Sequence, residues 1–260
     1  MTFAPVLPAT GLIGWNILSR TIDDQKEAFS NSGEIEREVA NFRENFSKIG
    51  SAEDLVNDRS MLKVALGAFG LQDDLDNKFF IQKIIEEGTT DQTALSNLLA
   101  DSRYSDLAAA FDFSSRATEL DGFIDSVVAS YVSYSFEEAI GEQNEDFRLA
   151  LNLERTLGNI GNRTSTNDTK WLTIMGNAPL REVFEVALGL PTSFAALPID
   201  TQLEELKSRA KSTFGTDDVA SLSTSESQKD VTRLFLLRSQ ISETSSLSSE
   251  STALTLLQRL

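Results

Sequence analysis

Residues 61–71 read MLKVALGAFGL, and residues 180–190 read LREVFEVALGL. Met61 aligns with Leu180, Val64 with Val183, Ala65 with Phe184, Ala68 with Ala187 and Phe69 with Leu188. In both stretches these residues fall at i, i+3, i+4, i+7 and i+8, which is one face of an α-helix. Both stretches end in the same pair, Gly70-Leu71 and Gly189-Leu190. A glycine just past a helix takes up the positive φ that stops it, and the next leucine supplies the apolar contact of that cap. The same helix and the same stop, written twice, point to an all-α chain in which helical hairpins pack by their apolar faces.

Working outward, EIEREVANFRENFSKI (34–49) carries Ile35, Val39, Phe42, Phe46 and Ile49 as one stripe. Gly50 stops it, and SAED (51–54) reads as a capping box for the next helix. A helix around 76–87 should close at Gly88, with Thr90 or Asp91 opening the next one. AFDF (110–113) looks like a weaker third copy of AFGL. Residues 116–160 contain no proline and read as one long helical region with a break near Gly141. GNIGNRTSTND (158–168) is a loop by composition. Two short helices flank Gly176 to Pro179, and further helices cover 197–215 and 231–241. No segment alternates β-branched residues with period two, so no strand is expected.

The expected fold is a helical bundle of two or three related hairpin units. The expected layout is a flexible segment 1–14, a helical unit 15–115, a connecting helical region 116–160 and a second unit 161–241. A Ser-rich linker with an apolar end, 242–260, completes it.

The chain has 260 residues, 40% of them apolar, which suffices for a sizeable core. Its net charge is −17. That charge opposes binding to a phosphate backbone or an anionic membrane surface, and it favours a monomer in isolation. There is no Cys and no His. Disulfides, thiolate chemistry, ordinary zinc sites and histidine triads are thereby excluded. The start, MTFAPVLPATGLIGWNILSR, has no basic stretch ahead of its apolar residues, and Pro5 and Pro8 interrupt them. It reads as neither a Sec signal nor a membrane span.

Motifs for catalysis, cofactors or metals are not found. No GxGxxG or GKS/GKT loop occurs. DDLDNK (73–78) lacks the glycine and distant glutamate of a calcium loop and reads as acids near a helix start. Two SxxK strings, 60–63 and 208–211, lack the companion motifs of penicilloyl serine enzymes, and Lys63 is expected on a solvated face. Asp58-Arg59 precedes the first copy of the repeated helix, and Asp101 and Arg103 precede the third. With Phe69, Gly70, Leu71, Gly189 and Leu190 they are the structural positions of the repeat, expected as caps and ion pairs.

Both ends carry apolar residues: Leu12, Ile13, Trp15, Ile17 and Leu18 at one, Leu254 and Leu257 at the other. They either dock on the core or await a protein partner, helix against helix.

The stretch from Phe42 to Phe113 carries a resemblance. Its pieces are FREN (42–45), Asp58-Arg59 with LKVALGAFGL, KIIEEG (83–88), and LADSRY (99–104) with the AFDF ending. RLALNLER (148–155) and PLREVFEVALGLP (179–191) extend it. Together they resemble the bacterial family known as domain of unknown function 1217. Genes of that family often lie among flagellar genes in alpha-proteobacteria, so the resemblance implies a flagellum-associated role, in the cytoplasm or in the flagellum, with flagellar components as partners. It assigns no catalytic residues. The alternatives are a cytosolic export chaperone and a small-molecule enzyme whose site combines carboxylates with lysine.

Overall fold

The computed structural model describes residues 4–99, 101–115, 118 and 122–257, with 243–257 as backbone alone. Among these residues there are α-helices and short 3-10 turns and no strand. The chain divides into two compact units. Leu18–Glu142, with the segment up to Val6, forms the first. Leu7–Ile17, with the chain from Gln143 onward, forms the second. The division therefore falls within the connecting region 116–160, at the break expected near Gly141, and the helix after it belongs to the second unit.

The first unit contains most of α1 (Gly11–Ser30), then α2 (Ile35–Asn45), α3 (Ala52–Asn57), α4 (Arg59–Gly67) and α5 (Lys78–Glu87). A four-residue helix, α6 (Leu95–Leu98), leads to α7 (Ser102–Ala110) and α8 (Phe123–Gly141). The expected stripe of α2 is buried at Ile35 and Phe42 and continues in the following 3-10 turn at Phe46. Phe42 stacks on Phe46 with centroids 4.8 Å apart, and Phe111 and Phe123 close on Phe46 from the side. Phe69 reaches the same cluster through Phe111. Phe111 is the heart of the AFDF stretch, and it ends α7 at φ −96° rather than in a left-handed glycine cap.

The second unit contains α9 (Glu145–Gly161), α10 (Asn167–Gly176), α11 (Ala178–Leu188), α12 (Ile199–Phe214), α13 (Val219–Leu222) and α14 (Ser225–Leu257). α11 packs on α9 and α14. Trp171 and Phe184 meet edge to face at 5.3 Å in its core, and the indole N–H donates to the Asp217 carbonyl at 2.8 Å.

Two expectations at this end are corrected. The glycines of GNIGNRT lie inside α9, and the loop shrinks to 162–166. Gly161 is there for close approach: a Cβ on it would sit 2.0 Å from the Ser223 hydroxyl. The Ser-rich stretch after 241 is no linker, because α14 runs on to Leu257. Serine is a tolerable helix former, and neither Gly nor Pro occurs after Gly215 to break the helix.

The N-terminal segment is tied as well. The Val6 N–H donates to the Gln25 Oε1 at 2.8 Å, and the Gln25 amide returns a bond to the Val6 carbonyl.

The two quoted stretches are closed in the same way at both ends. Asp58 ends α3 and opens α4 with φ −95° and ψ 100°. Asn177 ends α10 and opens α11 with φ −97° and ψ 104°. The Met61 N–H donates to Asp58 Oδ1, and the Leu180 N–H to Asn177 Oδ1, each at 3.1 Å. At the far end Gly70 and Gly189 take φ of 68° and 65°. The Leu71 N–H reaches back to the Leu66 carbonyl, and the Leu190 N–H to the Glu185 carbonyl, each at 2.9 Å. These are Schellman caps, which satisfy carbonyls that a helix end would otherwise leave unpaired. Each end also receives an arginine. Arg103 donates to the Gly70 carbonyl, and Arg238 donates to the Ala187 carbonyl at 2.6 Å.

Candidate functional site

The first unit holds a groove of about 370 Å³ between α2 and the first turns of α4. Glu34, Arg37, Glu38 and Asn41 line one wall. Their spacing of three, four and seven places them on one face of α2. Arg59, Ser60 and Lys63 line the other wall, and Leu75 is the apolar member. α2 turns this charged face to the groove because its opposite face carries Ile35 and Phe42 into the core.

Lys63 joins the walls. Its Nζ lies 2.5 Å from Glu38 Oε1 and 3.5 Å from Glu34 Oε1. It was expected on a solvated face; instead it is part-buried and doubly paired. The second oxygen of Glu38 accepts from the Tyr131 hydroxyl of α8. Tyr131 is buried, and it fits because residue 67 is glycine: a Cβ there would lie 2.7 Å from its ring. Burial lowers the ammonium pKa of Lys63, but the hydrogen bonds and charges of Glu38 and Glu34 outweigh it, and the net shift is upward. Burial and the Glu38 carboxylate push the Tyr131 phenol far above its ordinary value. The groove thus holds the Lys63 ammonium paired to its glutamates, and the buried Tyr131 phenol is bonded to Glu38. Among the described residues no hydrogen bond joins the Ser60 hydroxyl to Lys63, whose ammonium is turned to Glu38 and Glu34 instead.

The acidic stretch 73–78 is consumed by local structure. Asp74 accepts from Asn77 and from the Tyr104 hydroxyl, both at 2.7 Å, and Asp76 pairs with Arg59 at 2.7 Å. Burial and Asp74 push the Tyr104 phenol up to about 12. Asp74 and Asp76 serve side-chain pairs rather than the start of α5. Among the described residues no cluster of Asp and Glu is arranged to hold a metal ion.

Asp58 is an N-cap, and Arg59 reaches out to exposed Asp76. Asp101 caps α7 and holds the guanidinium of Arg103 through both oxygens. Burial opposes ionisation of Asp101, but Arg103 overrides it and holds the carboxyl below its usual range. The candidates of the N-terminal segment separate into two groups. Trp15 and Leu18 are buried, and Trp15 packs on Phe147 with centroids 5.8 Å apart. Ile13 is 72% exposed and Ile17 39%, while Leu12 is half-buried. Side chains of Leu254 and Leu257 lie outside the described residues. Sequence spacing did not reveal Glu34, Glu38 and Tyr131 as a group, and it missed exposed Ile241 on α14.

A family model described as protein of unknown function DUF1217 matches residues 68–231. The chain belongs to this family. The matched span of DUF1217 takes in both Gly-Leu caps and starts just after the groove residues of α2 and α4. The fold is also similar to the crystal structure of protein AGR_C_984 from Agrobacterium tumefaciens, with a TM-score of 0.74 and 25% identity. That likeness covers 92% of this chain and 99% of the other. Comparison with curated proteins gives no match. No helix among the described residues is long and apolar enough to cross a membrane.

Proposed function

We propose that this protein is a non-enzymatic helical protein that binds other proteins during assembly of the bacterial flagellum or within its structure. The observation that carries the binding part is an apolar surface on the second unit. Ile13 and Ile17 lie one turn apart on the outward face of α1, opposite buried Trp15. Ile241 on α14 is 64% exposed, and its neighbour Gln240 abuts Gly11 at the start of α1. Isolated exposed leucines and isoleucines are ordinary, but three exposed β-branched side chains near the place where the start of α1 abuts the middle of α14, on a strongly acidic chain, suit a helical partner. The paired state of Lys63 and Tyr131 supports the non-enzymatic reading. The flagellar part rests on the gene neighbourhood of the family.

The test is a pull-down from motile cells with the full chain and with an Ile13→Asp, Ile17→Asp, Ile241→Asp variant. Point changes are preferable to deleting the first eighteen residues, because a deletion would also remove Trp15 and Leu18 from the core. The full chain is expected to recover flagellar rod, hook or export components, and the variant to lose them. Equal recovery by both would remove the apolar surface from the mechanism. Recovery of no flagellar protein by the full chain would end the flagellar assignment.

A further inference from the structure

We infer that the groove between α2 and α4 binds a small organic carboxylate that carries a hydrogen-bond donor next to the acid group, as an α-amino or α-hydroxy acid does. The argument starts from what the groove leaves over once its internal pairs are drawn. Glu38 is filled by Lys63 and Tyr131, one on each oxygen. What remains is mostly donors. Among the described residues the Arg37 guanidinium and the Ser60 hydroxyl have no partner, and both line the groove. Asn41 accepts from Asn45 through its oxygen, which leaves its own amide hydrogens free to donate. Among the described residues Arg59 is held only by Asp76, whose side chain is 83% exposed, so that pair exchanges readily with solvent or ligand.

Convergent donors on both walls select an anion, and the flat guanidinium forks match a carboxylate. The groove also sets an upper limit on the charge. Glu34 and Glu38 stand in the same wall and would repel a dianion such as phosphate. Glu34 has only the long contact to Lys63, and its remaining oxygen can accept from an ammonium or hydroxyl beside the bound acid. A volume of about 370 Å³ admits a small acid with room to spare, so the selection rests on the polar groups and not on size. With Asp76 counted against Arg59, the basic and acidic side chains at the groove balance, on a chain of net charge −17. That contrast makes the groove less repulsive to a small anion than the rest of the surface.

The experiment is an NMR titration of the full-length, ¹⁵N-labelled protein with four probes: L-alanine, L-lactate, propionate and inorganic phosphate. L-Alanine or L-lactate is expected to move the amides of 34–41 and 59–63 at concentrations up to about 20 mM. Propionate lacks the adjacent donor and is expected to bind about tenfold more weakly. Arg37→Gln, at an exposed position that leaves the core untouched, is expected to weaken binding at least tenfold, and Arg59→Gln less. The inference is overturned if no probe moves groove amides, if phosphate binds more tightly than the acids, or if Arg37→Gln binds like the parent. Propionate matching L-lactate would remove the role given to Glu34 and, with it, the ligand class named above.

Discussion

Asp58 to Leu71 and Asn177 to Leu190 have nearly superimposable ends and different faces. Each begins with an Asx cap shared by two helices and finishes in a Schellman cap that an arginine covers. Between the caps the neighbours differ. α4 presents Gly67 to the ring of Tyr131, and the cap after it presents Gly70 to the ring of Tyr134. α11 has Val186 where α4 has Gly67, and α9 and α14 pack on it. Helix ends are thus set by a few residues acting on local backbone groups. Helix faces are set by whatever the rest of the unit brings to them. One sequence motif can therefore fix where a helix starts and stops without fixing what it touches.

The sharpest way to break this correspondence is to exchange residue 67 with its counterpart. Gly67→Val places a branched side chain where a Cβ alone would lie 2.7 Å from Tyr131, and it pushes that hydroxyl off Glu38. We expect a loss of about 3 kcal/mol, the upper end of overpacking effects. The converse, Val186→Gly, should cost about 1 kcal/mol, as for a glycine placed in a helix. Urea unfolding of both variants measures the difference. Equal losses would mean that the two faces are as alike as the two ends.

A smaller difference is expected at the stop residues. Gly70→Ala and Gly189→Ala both force a Cβ into a left-handed conformation, at a cost of about 1–2 kcal/mol. At Gly70 the new atom also meets the Tyr134 ring at 2.6 Å, whereas at Gly189 it meets the mobile end of Arg238 at 2.8 Å. Gly70→Ala should therefore be the more destabilising by about 1 kcal/mol. A larger loss at Gly189 would show that the Arg238 contact with the Ala187 carbonyl outweighs aromatic packing.

What the sequence disclosed follows the same division between ends and faces. The all-α class, the stops at Gly70, Gly88, Gly189 and Gly215, and the Ser51 cap were legible, because each depends on residues within one turn. Asp54 departs from the expected box only in reaching back to the Gly50 N–H instead of Ser51. The groove was not legible. Lys63 lies 29 residues from Glu34, and Tyr131 lies 93 from Glu38, so no local spacing signals their meeting. Gly161 misled because a glycine that permits close packing is spelled like one that makes a loop. At the N-terminus one apolar run contained two faces. The spacing of three from Trp15 to Leu18 turned inward, and the spacing of four from Ile13 to Ile17 turned out.

The smallest expected effect lies one step further along the same pair of helices, where Lys63 of α4 corresponds to Glu182 of α11. Lys63 has opposite charges for neighbours. Glu182 has Glu145, Asp146 and Glu185, with Arg148 as partial relief. Partial burial first, and then the Glu145 charge, raise the Glu182 carboxyl above its ordinary value. A carboxyl with a raised pKa in the folded state binds its proton more tightly there than in the unfolded chain. Folding is therefore unpenalised at acid pH, where both states are protonated, and it loses stability as pH rises from the ordinary carboxylate value through the raised one. Glu182→Gln removes that penalty. It should raise Tm by about 1 °C at pH 7 and leave Tm unchanged at pH 3. For Lys63 the sign is reversed. Its raised ammonium pKa stabilises the fold throughout the neutral range, and the benefit is lost only as alkaline pH passes the raised value. Lys63→Met should accordingly lower Tm at pH 7, and the two variants should move in opposite directions under identical conditions. A fall in Tm for both would mean that Glu182 is held by Arg148 rather than repelled by its neighbouring acids.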